Sequence, residues 1–191
     1  MTLIKKMIVC TSLLTSASIT LAANQWKLNE EQSQISFQTT KNGSVVENHT
    51  LKLDSGSISD SGEATVTIAL NTVQTGIDIR NERIRERVFQ TVQFPVATVH
   101  QKLNLNDYPE GTPVIQDINA NLSLHGIEKP IVLKLSILRL KNTVQVSSVE
   151  PVLLKASEFD LEKGIDQLQE IASLDSIAKI IPVSVSMVFE R

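Results

Sequence analysis

Three arginines, Arg80, Arg83 and Arg87, recur at spacings of three and four within the segment TGIDIRNERIRERVFQTVQFP, from Thr75 to Pro95. A guanidinium donates several hydrogen bonds in a planar fork that fits phosphate or carboxylate, so this ridge is a candidate anion site. The same segment carries Asp78, Glu82 and Glu86. Pairs such as Glu82 with Arg85, or Arg83 with Glu86, would equally knit a solvated helix surface. The histidines, His49, His100 and His125, share no ligand spacing, and no metal is expected. Neither a nucleophile elbow, a P-loop nor a dinucleotide fingerprint occurs, and carboxylates without geometry make no acid–base pair. The chain therefore reads as a protein without catalysis and without a cofactor.

The element that must position the arginines is a helix. On helical geometry Ile77, Ile84, Val88 and Val92 share one apolar stripe, which predicts a helix from Ile77 to Thr91, stopped by Phe94-Pro95. Phe89 and Phe94 suit packing of that helix onto a core. A second helix is predicted from Asp160 to Leu174, where Leu161, Ile165, Leu168, Ile171 and Ala172 recur at spacings of three and four despite Gly164.

The rest of the chain alternates. Two short strands are predicted between Trp26 and Lys41, and Asn42-Gly43 signals a tight hairpin. Val45 to Leu53 continues the extended pattern weakly, and Ala64 to Leu70 alternates cleanly. Further strands are expected from Ala97 to Leu105, Val114 to Leu124, Ile131 to Leu140, Val144 to Leu154 and Val183 to Phe189. Many alternating strands joined by short turns predict an antiparallel all-β domain. Periodicity leaves barrel and sandwich both open, although closure would protect the apolar last strand. Inner faces rich in Val, Ile, Leu and Ala fit either a solid core or a small apolar cavity.

A formal net charge of -3 with interspersed signs gives no basic stripe for nucleic acid. The N-terminus, with Lys5 and Lys6 before an apolar run from Met7 to Leu21 that ends in small residues, has the layout of a signal peptide. Cleavage after Ala22, or else Ala23, would leave 23–191 as one exported domain without its sole cysteine, Cys10. No later apolar run is long enough for a transmembrane helix of about 20 residues.

The phrase TGIDIRNERIRERVFQTVQFPVATV, with Ile35 to Phe37 and LSLHGIEKPIVL from Leu122 to Leu133, resembles the YceI-like family of bacterial periplasmic proteins. The resemblance covers nearly all of the chain beyond the signal. It implies an extended, lipocalin-like antiparallel β-barrel of about eight strands with two short helices, whose interior takes a polyisoprenoid, an isoprenoid quinone or a fatty-acid-like lipid. Phe37, Ile68, Phe89, Phe94, Leu122, Leu135, Val185 and Met187 are the expected apolar lining, and Arg80 and Arg83 the expected contacts to a polar head. The family often has Asp and His where this chain has Asn81 and Arg83, and Asn48-His49-Thr50 replaces its usual Gly-x-Phe. The expectation is periplasmic binding or carriage of a long-chain amphiphile without covalent chemistry. The alternative is a stress-response or interaction module with a solid barrel, and a homodimer or an envelope protein is a further possible partner.

Overall fold

A computed structural model describes residues 25–191. The signal peptide and cleavage site expected from the sequence, and Cys10, lie outside them. Ten strands and two α-helices follow in order. They are β1 (Trp26–Leu28), β2 (Gln34–Lys41), β3 (Val45–Ile58), β4 (Glu63–Gln74), α1 (Asp78–Arg83), β5 (Val96–Lys102) and β6 (Val114–Leu124). Then come β7 (Ile127–Arg139), β8 (Thr143–Ser148), β9 (Val152–Lys155), α2 (Glu162–Ile171) and β10 (Ile180–Glu190).

From β2 to β8 each strand pairs antiparallel with the next, except that β9 stands off this path. β10 closes the ring: one of its edges pairs with β2 and β1, the other with β9 and β8. β1 and β2 thus act as one interrupted strand, as do β8 and β9, and the ring is an eight-stranded antiparallel barrel. Closure removes the free edges that an apolar strand such as β10 would otherwise expose. The weak alternation of β3 has a local cause. Register shifts against β4 between Thr50 and Lys52, and between Leu53 and Ser55, move its buried positions from His49, Leu51 and Leu53 to Ile58.

The first helix departs from expectation. Its α-helical part ends at Arg83 and continues as one π-turn, Ile84–Val88, in which Phe89 N–H bonds to Ile84 O at 3.0 Å. Gln90, at φ 49°, then turns the chain away before Pro95 is reached. The expected stripe therefore holds from Ile77 through Ile84 to Val88, which all line one cavity, and loses Val92. Ile84 and Val88 are buried, whereas Ile77 is half-exposed and Val92 lies fully in solvent. The extra π residue and the left-handed turn reset the angular phase that an unbroken helix would keep.

In the second helix Gly164 is a requirement of packing. A Cβ there would stand 2.2 Å from Arg87 O and 2.7 Å from Val88 Cα, so the backbones of α2 and the π-turn meet at this glycine. The predicted loop at Asn42-Gly43 is present and does a second job. Asn42 Oδ1 accepts from the N–H groups of Asp175 and Ser176 at 2.9 and 3.3 Å, tying the hairpin tip to the segment that follows α2.

Inward-facing side chains form two clusters along the barrel axis. One end is filled by Trp26, Ile58, Tyr108, Ile137, Val144 and Phe189 with their neighbours. At the other end the strand walls and the two helices surround a second cluster. Leu28, Val66, Val185 and Met187 pack against both and make the layer between them.

Candidate functional site

The helical end encloses a cavity of about 390 Å³. Its wall is apolar on most sides, from Ile35 and Phe37 of β2 through Ile68 and Leu70 of β4 to Leu122 and Leu124 of β6. The helices supply the cover. From the first come Ile77, Ile79, Ile84, Val88 and Phe89, and Leu161, Ile165, Leu168 and Ala172 come from α2 and its flanks. These α2 positions are the apolar stripe predicted for that helix, except that Ile171 stays half-exposed outside the cavity. A volume in this range suits a small-molecule ligand, since such sites run from about 300 to 1,000 Å³ and are mostly apolar.

Polar groups gather on one side of the mouth, between the β2–β3 hairpin and α1. The hairpin register sets Phe37 opposite His49, Thr39 opposite Glu47 and Lys41 opposite Val45, so Thr39, Lys41, Glu47 and His49 all point inward with Phe37. Glu47 Oε2 receives both Lys41 Nζ and Arg80 Nη1 at 2.7 Å. Arg80 Nη2 donates to Thr75 O at 2.6 Å. Asn81, buried behind it, holds that corner: its Oδ1 accepts from Thr75 N–H at 2.8 Å and from the Thr75 hydroxyl at 2.7 Å. The Lys41 hydrogen bond, helped by Arg80, keeps the Glu47 carboxyl below the usual glutamate range against the opposing effect of burial.

His49 is 2% exposed, and its Nε2 lies 2.9 Å from Thr39 Oγ1. Burial lowers its pKa below the ordinary histidine value, and the Arg80 charge lowers it further while Glu47 opposes. The imidazole is thus neutral at pH 7. Its Nδ1 has no partner among the described residues, nor does the buried Arg80 Nε.

The structure brings six of the ten expected site residues to the cavity: Phe37, Ile68, Phe89, Leu122, Arg80 and Arg83. Four lie elsewhere. Leu135 belongs to the filled end, and Val185 and Met187 form part of the layer beneath the cavity. All three face inward, as alternation requires, but at a depth that alternation does not encode. Phe94 leaves the interior altogether, its ring 4.4 Å from that of His125 and against Gly126. The turn at Gln90 carries it past the barrel wall to the β6–β7 turn. Neither expected helix-surface pair forms among the described residues: Glu82 with Arg85 and Arg83 with Glu86 make no contact within 4.0 Å.

A family model described as a YceI-like domain matches residues 26–189. The chain belongs to the YceI-like family. Among solved structures it is similar to a polyisoprenoid binding domain from Saccharophagus degradans implicated in plant cell wall breakdown. That match has 36% identity and a TM-score of 0.83, covering 86% of this chain and 97% of that one. A second likeness, to BcnA of Burkholderia cenocepacia, has 15% identity and a TM-score of 0.64 over 84% of this chain and 98% of that one, and shows the fold alone. No curated protein matches the chain in sequence.

Within this YceI-like barrel the two halves of the recognisable motif prove to be neighbours. Phe94, from the phrase that ends in Phe-Pro, covers the His125-Gly126 turn from Leu-x-Leu-His-Gly, and His125 Nδ1 lies 3.1 Å from Phe159 O. These motif residues brace the hairpin beside the cavity. The Lys41, Glu47 and His49 side of the mouth was missed as a polar site by sequence reasoning. A signal was present: the Asn42-Gly43 turn fixes the register, and the register puts these polar residues on the face of Phe37.

Proposed function

We propose that the protein binds and carries a long-chain amphiphile in the periplasm, with the chain inside the barrel and the polar head at the mouth, and without covalent chemistry. The observation that carries this reading is an apolar cavity, under a two-helix cover, whose polar groups, apart from Lys155 at the end of β9, gather on one side of the mouth. A chain that leaves water for such walls gains roughly 25 cal/mol for each Å² of apolar surface buried, with little demand on shape. The YceI-like family and the likeness to a polyisoprenoid binding domain support a prenyl chain as the tail. The lysine pair and apolar run at the N-terminus support export. Arg80 and Arg83 are the head contacts, and Phe37, Ile68, Phe89 and Leu122 touch the chain.

Native mass spectrometry of the protein purified from its own envelope, followed by organic extraction, tests the reading. A reproducible adduct that extracts as a prenyl or acyl lipid is expected. Repeated absence of any adduct, with no uptake of added prenyl alcohols or quinones, would overturn it and leave an interaction module in its place.

A further inference from the structure

Exposed apolar side chains gather on the outer wall of the hollow end. The β2–β3 register sets Val46 beside Thr40, and Ala178 N–H donates to Thr40 O at 2.8 Å, which brings the start of β10 alongside. There Ile180 stands opposite Lys155 of β9, and Pro182 opposite Leu153. Ile181 and Val183 line the cavity, so by alternation Ile180 and Pro182 point outward. Val46, Ile180 and Leu153 are each more than half exposed, and together they make an apolar strip from β3 across β2 and β10 to β9. The cations at its edge are occupied: Lys155 is turned toward Glu158 at 3.6 Å, and Lys179 is held by Asp166 at 2.9 Å. Single exposed apolar residues are ordinary on a protein surface. β6 and β7 show that ordinary case, since Ile115 and Val132 are as exposed but the row of Asp117 and Lys134 lies between them.

The strip continues past the wall. Val45 lies on the face of Glu47 and Val46 on the reverse face, and both are about half exposed, so apolar surface turns over the tip of the hairpin onto the mouth. Across the mouth α1 is preceded by Ile77 and carries Ile79, which line the cavity and are still about half exposed. Residues that line a chamber and also meet water mark its opening. At that opening Lys41, Arg80 and Arg83 are matched by Glu47, by Asp78 between the two isoleucines, and by Asp175, whose N–H is bonded to Asn42 at the hairpin tip. The rim therefore carries no net charge.

Resting on the amphiphile-binding reading, we propose that the strip and the rim form one docking surface whose occupant is the face of a phospholipid bilayer. Contiguous exposed apolar surface marks a place of association, and a stable protein partner would need a matched area of about 800 Å² on each side. A surface that bends over a hairpin edge and opens into an apolar chamber is poorly matched by a rigid partner, whereas a fluid bilayer moulds to it. Val45, Val46, Ile79, Leu153 and Ile180 enter the headgroup layer and withdraw their apolar surface from water. The balanced charge of the rim suits a zwitterionic layer and gives no pull toward an anionic one. With the mouth held against the bilayer, a long-chain lipid passes into the cavity without its chain crossing water.

Flotation of the whole purified protein with vesicles of phosphatidylcholine alone tests the proposal. A fraction of the protein is expected to rise with the vesicles, and salt at about 0.5 M, which screens surface charge, is expected to leave that fraction unchanged. Leu153→Thr combined with Ile180→Thr, both outside the cavity lining, should lower vesicle binding about tenfold or more, since each change gives up an apolar contact worth severalfold. Val132→Thr, matched in type and exposure on β7, should leave it unchanged. Threonine keeps the strand propensity of these positions, and thermal unfolding checks the fold of each variant. Protein that stays in solution, binding that requires phosphatidylglycerol or is lost in salt, or an equal loss in Val132→Thr overturns the inference. Self-association in sedimentation velocity without vesicles, abolished by the paired threonine variant, would overturn it by assigning the strip to a second copy of the chain. Uptake of geranylgeraniol, followed by native mass spectrometry without vesicles, separates this proposal from the reading beneath it. Uptake by protein that does not float overturns the docking alone, and flotation without any uptake overturns the amphiphile reading and leaves the docking surface.

Discussion

The two ends of the barrel are walled by the same strands, yet one is filled and the other is hollow. At the filled end β1 is wedged between β3 and β10, and Trp26, Tyr108 and Phe189 supply large rings that reach the axis. The Tyr108 hydroxyl is taken up by Gln116, and Arg139 Nη1 donates to Tyr108 O at 3.2 Å, so polar groups there are paired within the fold. At the hollow end the strands carry mainly aliphatic side chains, and two helices span the opening without descending into it. Polar groups there are left partly unpaired. One end is built for stability, and the other gives up packing and hydrogen bonds to keep a site.

The largest effect expected from this contrast is on stability. Ile137 is fully buried in the filled end, and Ile137→Ala should cost about 2–5 kcal/mol, through lost transfer energy and the hole left behind. Leu168→Ala removes a partly buried side chain from the cover of an existing cavity and should cost less than half as much. Urea denaturation of both variants decides. Equal losses would mean that the hollow end is as tightly packed as the filled one.

Next in size is Gly164→Ala. The added methyl would press on the backbone of the π-turn, and overpacking of this kind costs about 1–3 kcal/mol. It should also spread the two helices, so that bound lipid leaves faster while the filled end keeps its hydrogen-exchange protection. Protection lost evenly across both ends would erase the distinction between them.

The smallest effect is that of acid pH, which acts on the hollow end. The folded state disfavours the proton on His49, so the unfolded chain takes it up first, and stability falls as pH drops below about 6.5. Glu47 works in the same direction at lower pH. Its folded pKa is depressed, so its contribution is full above about 4.3 and is lost as pH falls through the lower folded value. Hydrogen exchange should show α1 amides losing protection before those of β7 and β8. Simultaneous loss would show that the mouth cluster does not stabilise the cover.

Much of this arrangement was legible in the chain, for reasons that also explain what was not. Alternation in β4, β6 and β10 identified which side chains face inward, and the Asn42-Gly43 pair identified a hairpin. Depth along the axis has no period, and so Leu135, Val185 and Met187 were correctly turned inward but placed in the wrong layer. The stripe from Ile77 failed beyond the π-turn because one extra residue per turn shifts the phase without leaving a mark in composition. Arg80 and Arg83 could be named from type and spacing. The Glu47 partner of Arg80 could not, since pairing across 33 residues depends on how α1 is laid over the barrel.

Closure by β10 has a consequence in time. Every contact between β2 and β3, or between β6 and β7, joins near neighbours in the chain, and such pairings form quickly. The last strand must find β2 across most of the molecule: Val188 N–H and the Ser33 hydroxyl that accepts from it are 155 positions apart. Joining the two rims is therefore the slow step of folding, because the entropy of closing so long a loop must be met before its contacts form. Ile35 and Phe37 on one rim and Ile181 and Val183 on the other both belong to the cavity wall. No chamber exists until they meet, so a ligand of the cavity would find its site only in the finished barrel.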